Sequence, residues 1–305
     1  MGLMIWRAGL AVASGASAGL NVLRQLRARE VAAVRRLRAR LEGAVCQAVD
    51  RFEPRMVADL PEPARRYFLH AIRPGTPLAQ SVRLTMTGEM RLGLRQPWLR
   101  LRARQTFAPP AGFVWEATVG RGLIRFAGAD AYANGQGRVA FRLWDLVPIV
   151  RASGPAISRA ARGRLAIESI WQPAALLPRQ GVAWTSIDDR TARAVVTIDG
   201  EALPLTLTVA KDGSLESAAM ERWGNLTPDG RYAAIPFGVD VLAERTFGGY
   251  TVPSGVRVAW WYGTNHQFDF FHAEISGAAY LPREERGVTD DGTRNVSSSS
   301  VSRMR

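Results

Sequence analysis

The run Leu99-Arg100-Leu101-Arg102-Ala103-Arg104 sets an apolar residue against an arginine at every step. A period of two puts the apolar side chains on one face of a pleated strand and the guanidinium groups on the other. A helix would scatter both kinds around its circumference. The same alternation recurs on either side. Val82, Leu84 and Met86 interleave with Arg83, Thr85 and Thr87; Phe113, Trp115, Ala117 and Val119 interleave with Val114, Glu116 and Thr118. Each run predicts a strand with one face on a core and the other mostly in water. Further strands are predicted over 139–144, 182–187, 192–198, 203–209, 215–221, 240–247, 256–262 and 268–280. Gly120-Arg121-Gly122, Gly128-Ala129-Asp130 and Asn134-Gly135 read as turns between strands.

One segment departs from this period. Over 155–177, Ile157, Ala160, Ala161, Leu165, Ile167, Ile170 and Trp171 fall at helical spacing, with Pro173 as a break or kink and Pro178 beyond the end. A shorter helix is predicted over 64–72, opened by Pro63 and closed by Pro74-Gly75. A parallel sheet would need a helix at every crossover, and these are missing. The expected class is therefore α+β, mainly β: a large curved antiparallel sheet, half-barrel-like, wrapped on a central helix, with a basic N-terminal helix.

The 305 residues are 47% hydrophobic and 22% charged, enough for a substantial core without staples. Cys46 is the only cysteine, so no internal disulfide forms. The net charge of +13 points to anionic partners. Lys211 is the only lysine, however, and an arginine-only bias with abundant Ala and Gly reads as genome composition more than as selection for phosphate. Position says more. Residues 1–57 hold ten Arg against three Glu and one Asp. Three units are expected: an apolar and basic helix over 1–57, a β-rich domain over 58–282, and a disordered tail over 283–305.

The start of the chain supports three readings. As a secretory signal, Arg7 would be the n-region and Ala16-Ser17-Ala18 the cleavage site. As a spanning helix, residues 1–23 are marginal because they are mostly Ala, Gly and Ser. As an amphipathic helix, Leu23, Val34, Leu37, Leu41 and Val45 make an apolar stripe among seven arginines. That helix would lie on an anionic membrane surface or pack on the domain. The location follows the same split: membrane-associated or cell envelope, with the cytoplasm as the alternative.

Recognised chemistry is sparse. Gly15-Ala16-Ser17-Ala18-Gly19 matches a nucleophile elbow but lacks the preceding strand, and Gly135–Ala140 matches a dinucleotide fingerprint but precedes a strand. The only histidines are His70, His266 and His272, and the last two, on one expected strand, are too far apart to share a metal. No metal and no cofactor is expected. Basic and aromatic residues mix over 98–104 without an RNP-like motif, so nucleic acid is not an expected partner. Glu168 stands among apolar neighbours, four residues after Arg164. Nine tryptophans either fill the core or line a cavity under the helix.

Several motifs together resemble a known pattern. Leu60-Pro61-x-Pro63-x-Arg65-Arg66-Tyr67 is followed by Gly88-Glu89-Met90-Arg91, Trp98, Phe113-Val114-Trp115 and Asp130-x-Tyr132, and then by Glu168-x-x-Trp171-x-Pro173, Trp184, Arg222, residues 249–253 and Trp260. This order resembles an uncharacterised bacterial domain-of-unknown-function family over roughly 60–280. Pro236-Phe237 departs from it where a Trp would be expected. The resemblance implies no activity. At the level of fold alone, the expected architecture resembles the lipoprotein-carrier half-barrels of the bacterial envelope.

The leading expectation is a non-enzymatic protein whose cavity binds an apolar or lipid-like ligand. Trp115, Tyr132, Trp171, Trp184 and Trp260 would line it, with Glu168 and Arg222 as its polar groups. One alternative is an enzyme using carboxylates near Glu168. The other is a membrane-tethered structural or interaction module.

Overall fold

Thirteen strands hydrogen-bond into one sheet, antiparallel throughout. The coordinates are a computed structural model, which describes residues 2–43 and 50–282. The expected tail over 283–305, Val45 and Cys46 lie outside the described residues. The first six strands form a meander: β1 (Ala79–Met90), β2 (Leu99–Ala108), β3 (Gly112–Arg121), β4 (Ile124–Ala133), β5 (Gln136–Leu143) and β6 (Val147–Ser153). The last seven form another: β7 (Ala183–Ser186), β8 (Thr191–Ile198), β9 (Glu201–Val209), β10 (Leu215–Gly224), β11 (Ala233–Phe247), β12 (Tyr250–Trp260) and β13 (Phe268–Pro282). The two meanders join where β1 pairs with β13, which leaves β6 and β7 as the outer edges.

The alternation read from the sequence is the alternation of burial. Leu101 and Ala103 are buried while Arg100, Arg102 and Arg104 are exposed. The first helix, α1 (Gly2–Glu42), crosses the outer face of β2–β4. There Val34, Leu37 and Leu41 pack on Ala108, Val114 and Ala131. That part of its apolar stripe is thus covered by the sheet. Glu30 accepts from the Arg142 guanidinium and Glu116 from Arg38. The elbow serine, Ser17, belongs to this helix, with no strand before it. No helix among the described residues is long and apolar enough to cross a membrane. The second helix, α2 (Glu62–Ala71), buries Tyr67 and Phe68 against the core.

The central helix, α3 (Pro155–Ile167), packs against β5 on one side and β10 on the other, so it bridges both meanders. It is shorter than the 155–177 predicted. After Ile167 the chain tightens into 3-10 turns over Glu168–Trp171, Pro173–Leu176 and Pro178–Gln180. The prolines explain the change: each lacks an amide donor and disfavours helical geometry in the residue before it.

Other readings also need correction. Gly128-Ala129-Asp130 is no turn but the middle of β4, opposite Ala140 and Phe141. A Cβ on Gly128 would lie 2.0 Å from the Ala140 carbonyl oxygen, so glycine permits a close approach there. Asn134 and Gly135, with φ of 50° and 72°, do make the expected turn. Trp144, expected in a strand, sits in a turn with φ of 48°. His266 lies before β13 starts, so it does not share a strand with His272.

Candidate functional site

Between α3 and the concave face of the sheet lies a cavity of about 390 Å³, within the range of small-molecule sites. Its walls are mostly apolar. Val119, Phe126, Phe141, Val239, Val258 and Phe271 come from the strands, and Leu92, Ile149 and Val150 rim the mouth. Most strands contribute alternate residues, such as Val139 and Phe141, Phe237 and Val239, or Val258 and Trp260, which is why the lining is largely apolar although the strands are rich in arginine.

The polar groups gather on the α3 side. Asp130 projects from β4, Arg164 from α3, Glu168 from the following 3-10 turn and Arg222 from β10. Arg164 joins the two carboxylates. Its Nη1 donates to Asp130 Oδ2 at 2.7 Å and its Nε to Glu168 Oε1 at 2.7 Å. The other Glu168 oxygen accepts from Gln105 Nε2 at 2.6 Å. The neighbouring carboxylates outweigh burial and hold the Arg164 guanidinium above its usual range. Its Cζ also lies 4.8 Å from the Phe113 ring centroid and 4.9 Å from that of Trp115.

Arg222 is held differently. Its Nε donates to the Ala160 carbonyl at 3.3 Å, and its Cζ lies 4.5 Å from the Phe237 centroid and 5.1 Å from that of Trp260. No carboxylate among the described residues comes within ion-pair distance of it. Burial, reinforced by the Arg164 charge, pushes it down to about 10, so it remains a cation at neutral pH. Two glycines make room here. A Cβ on Gly163 would meet Arg222 Cγ at 3.1 Å, and one on Gly224 would meet the Trp260 ring at 2.5 Å. Two buried polar atoms of the lining, Trp115 Nε1 and Asp130 Oδ1, have no protein partner.

The fold thus brings five of the seven residues singled out from the sequence to one cavity: Trp115, Glu168, Trp171, Arg222 and Trp260. The other two lie elsewhere. Tyr132 donates to Asp199 and receives a bond from Arg162 Nε at 3.1 Å. It ties β4 to the β8–β9 turn. Burial and the Asp199 carboxylate raise its hydroxyl above the usual range. Trp184 donates to the Leu176 carbonyl at 3.0 Å and meets Phe68 edge-on in the core. Sequence reading missed Asp130 as a partner of Arg164, because the two are distant in sequence. Asp130 stands in the Asp130-x-Tyr132 motif, but its tie to Arg164 shows only through its place opposite Trp115 in the β3–β4 pairing. Among the described residues no cluster of His, Cys, Asp and Glu could hold a metal ion.

Comparisons with known proteins give a family and two distant folds. The model of a family of unknown function, DUF6544, matches residues 50–273. Among solved structures, a LolA superfamily protein from Nitrosomonas europaea aligns at 10% identity and a TM-score of 0.39, covering 71% of this chain and 91% of its own. A DUF1329 family protein from Desulfovibrio piger aligns at 10% identity and a TM-score of 0.32, covering 70% and 88%. No curated protein matches.

Proposed function

Since this chain belongs to DUF6544, a family that assigns no activity, we propose from the geometry of its cavity that it binds an acidic amphiphile, such as a fatty acid, without transforming it. The apolar tail lies between Phe126, Phe141, Ile149 and Val150 towards the mouth. The acidic group pairs with Arg222 and accepts a bond from Trp115 Nε1. One observation carries this reading: a cation inside a largely apolar cavity, stacked on two aromatic rings and without a carboxylate in contact. A buried charge without a partner is costly, and an anionic ligand removes that cost. Glu168 has a holding role in this reading, because both its oxygens accept from Gln105 and Arg164 rather than facing a proton to move. The protein then works at the cell envelope, where such amphiphiles are available.

Organic extraction of the purified full chain followed by mass spectrometry should recover an acidic lipid. Calorimetric titration of the delipidated protein should show oleate binding at least about tenfold tighter than methyl oleate, as expected for one charge-assisted pair. Equal affinity for acid and ester, or no binding of either, refutes the reading.

A further inference from the structure

The mouth of the cavity is bordered by an apolar, cationic surface. The β1–β2, β3–β4 and β5–β6 connections all leave the sheet at the same end, since Met90 is opposite Leu99, Arg121 opposite Ile124 and Leu143 opposite Val147. Leu92 and Leu94 stand on the first tip, Leu123 and Ile124 on the second, Trp144 and Val147 on the third. Among the described residues, six of the thirteen exposed large hydrophobic side chains lie on these three tips, two more follow on the edge strand β6, and Leu123 is 91% exposed. Single exposed apolar residues are ordinary; a contiguous group of this size marks an interaction site.

The third tip is built for display. Trp144 and Asp145 have φ of 48° and 64°, and Leu146 N donates to the Leu143 carbonyl at 3.0 Å to close the turn. Bulky L-residues rarely adopt that conformation. It turns the Trp144 indole outward, 62% exposed, while its Nε1 donates to the Leu123 carbonyl at 2.8 Å and fastens the second tip to the third.

Charge selects the partner. Arg95, Arg100, Arg121 and Arg151 are exposed on or beside the tips with no carboxylate in ion-pair distance among the described residues. Two acidic residues lie on or beside these tips: Asp145, which pairs with Arg27 at 3.1 Å and Arg125 at 3.7 Å, and Glu89, opposite Arg100, which pairs with His272 at 3.3 Å. Leucines, a tryptophan and unpaired arginines on one rim are the composition of a surface that enters a headgroup layer. The helix α1 adds a second argument. It passes Leu41 against Ala108 at the far end and Arg27 against Asp145 at this end. It then continues towards Gly2 for about 37 Å at 1.5 Å per residue, through a sequence with Arg7 as its only charge before Arg24.

We propose that these three hairpin tips dock the protein on an anionic lipid bilayer, with the cavity mouth facing the membrane. The docking stands on the tips alone; its purpose, loading or delivering an amphiphile, rests on the function proposed above.

The test is flotation of the full chain with vesicles of phosphatidylcholine, with and without phosphatidylglycerol. The protein should float with the anionic vesicles, less so as salt is added. Leu94→Ser/Leu123→Ser/Ile124→Ser changes exposed residues that do not line the cavity, and should lower vesicle partition at least about tenfold with unchanged circular dichroism. Arg95→Gln/Arg121→Gln should remove most of the salt dependence. If the parent does not float, or the triple variant floats like the parent, the proposal is overturned. It is also overturned if the tips instead support concentration-dependent self-association, lost in the triple variant, without flotation. Oleate titration of the triple variant separates the two readings: docking lost with oleate affinity kept is the expected result, while absence of oleate binding in the parent refutes the amphiphile reading alone.

Discussion

Arg164 is the residue whose removal reveals most about the cavity wall. Arg164→Met keeps an unbranched stem and deletes the guanidinium with its charge. In the parent the three side chains are little exposed, at 15% for Arg164, 19% for Asp130 and 13% for Glu168. The substitution leaves two carboxylates facing each other in a poorly hydrated site, and Asp130 Oδ1 already lacks a partner. Removing one partner from a buried ion pair costs about 3–5 kcal/mol. For a domain of this size that lowers the melting temperature by roughly 6–20 °C. Thermal unfolding followed by circular dichroism measures this, and Arg164→Met/Glu168→Gln should narrow the gap, because one of the two carboxylates left without a partner is then neutral. A deficit under about 1 kcal/mol, the size of an exposed pair, or a double variant no more stable than the single one, refutes the account of this wall.

Three further outcomes follow from the same geometry. Arg222→Gln should weaken oleate binding by about ten- to a hundredfold and leave methyl oleate unaffected, as read by calorimetry. Gly224→Val should push the Trp260 ring, which would be met at 2.5 Å by the first added carbon, at about 1–3 kcal/mol in stability by denaturant titration, with a change in near-ultraviolet circular dichroism. His70 Nε2 donates to the Glu244 carboxylate at 2.7 Å, and that bond raises its pKa above the ordinary value. The pair therefore stabilises the fold below about pH 6.5 and loses this contribution as pH rises through the raised value. His70→Gln should be about 0.5–1 kcal/mol less stable near pH 6, allowing for solvent screening, with the gap closing in alkaline solution.

The fold was legible wherever a strand has one face in water. Leu99–Arg104 and Phe113–Val119 announce themselves because burial alternates with solvent at each residue. β6 was not legible, because Val147–Ser153 is almost wholly exposed at the sheet edge and carries no period. Gly128 misled because a turn glycine and a strand glycine in close approach look alike in sequence. The (i, i+4) pair of Arg164 and Glu168 could be read directly, whereas its third member, Asp130, needed the strand pairing. Tyr132 and Trp184 were singled out as aromatic; sequence does not say at which end of the half-barrel an aromatic falls. The exposed tips escaped notice because isolated leucines in hairpin connections carry no periodic signal.

The junction of the two meanders bears on how the chain reaches this shape. β1 and β13 are the first and last strands in sequence, with Ala79 opposite Pro282, yet they pair in the middle of the sheet. Every other ladder joins consecutive strands and can zip locally as the chain emerges. The central one must wait until the last strand is available, and closing so long a loop is slow. Until then each half-sheet has an inner edge that only the other can pair, so exchange of that edge between two molecules is the misassembly this strand order leaves open.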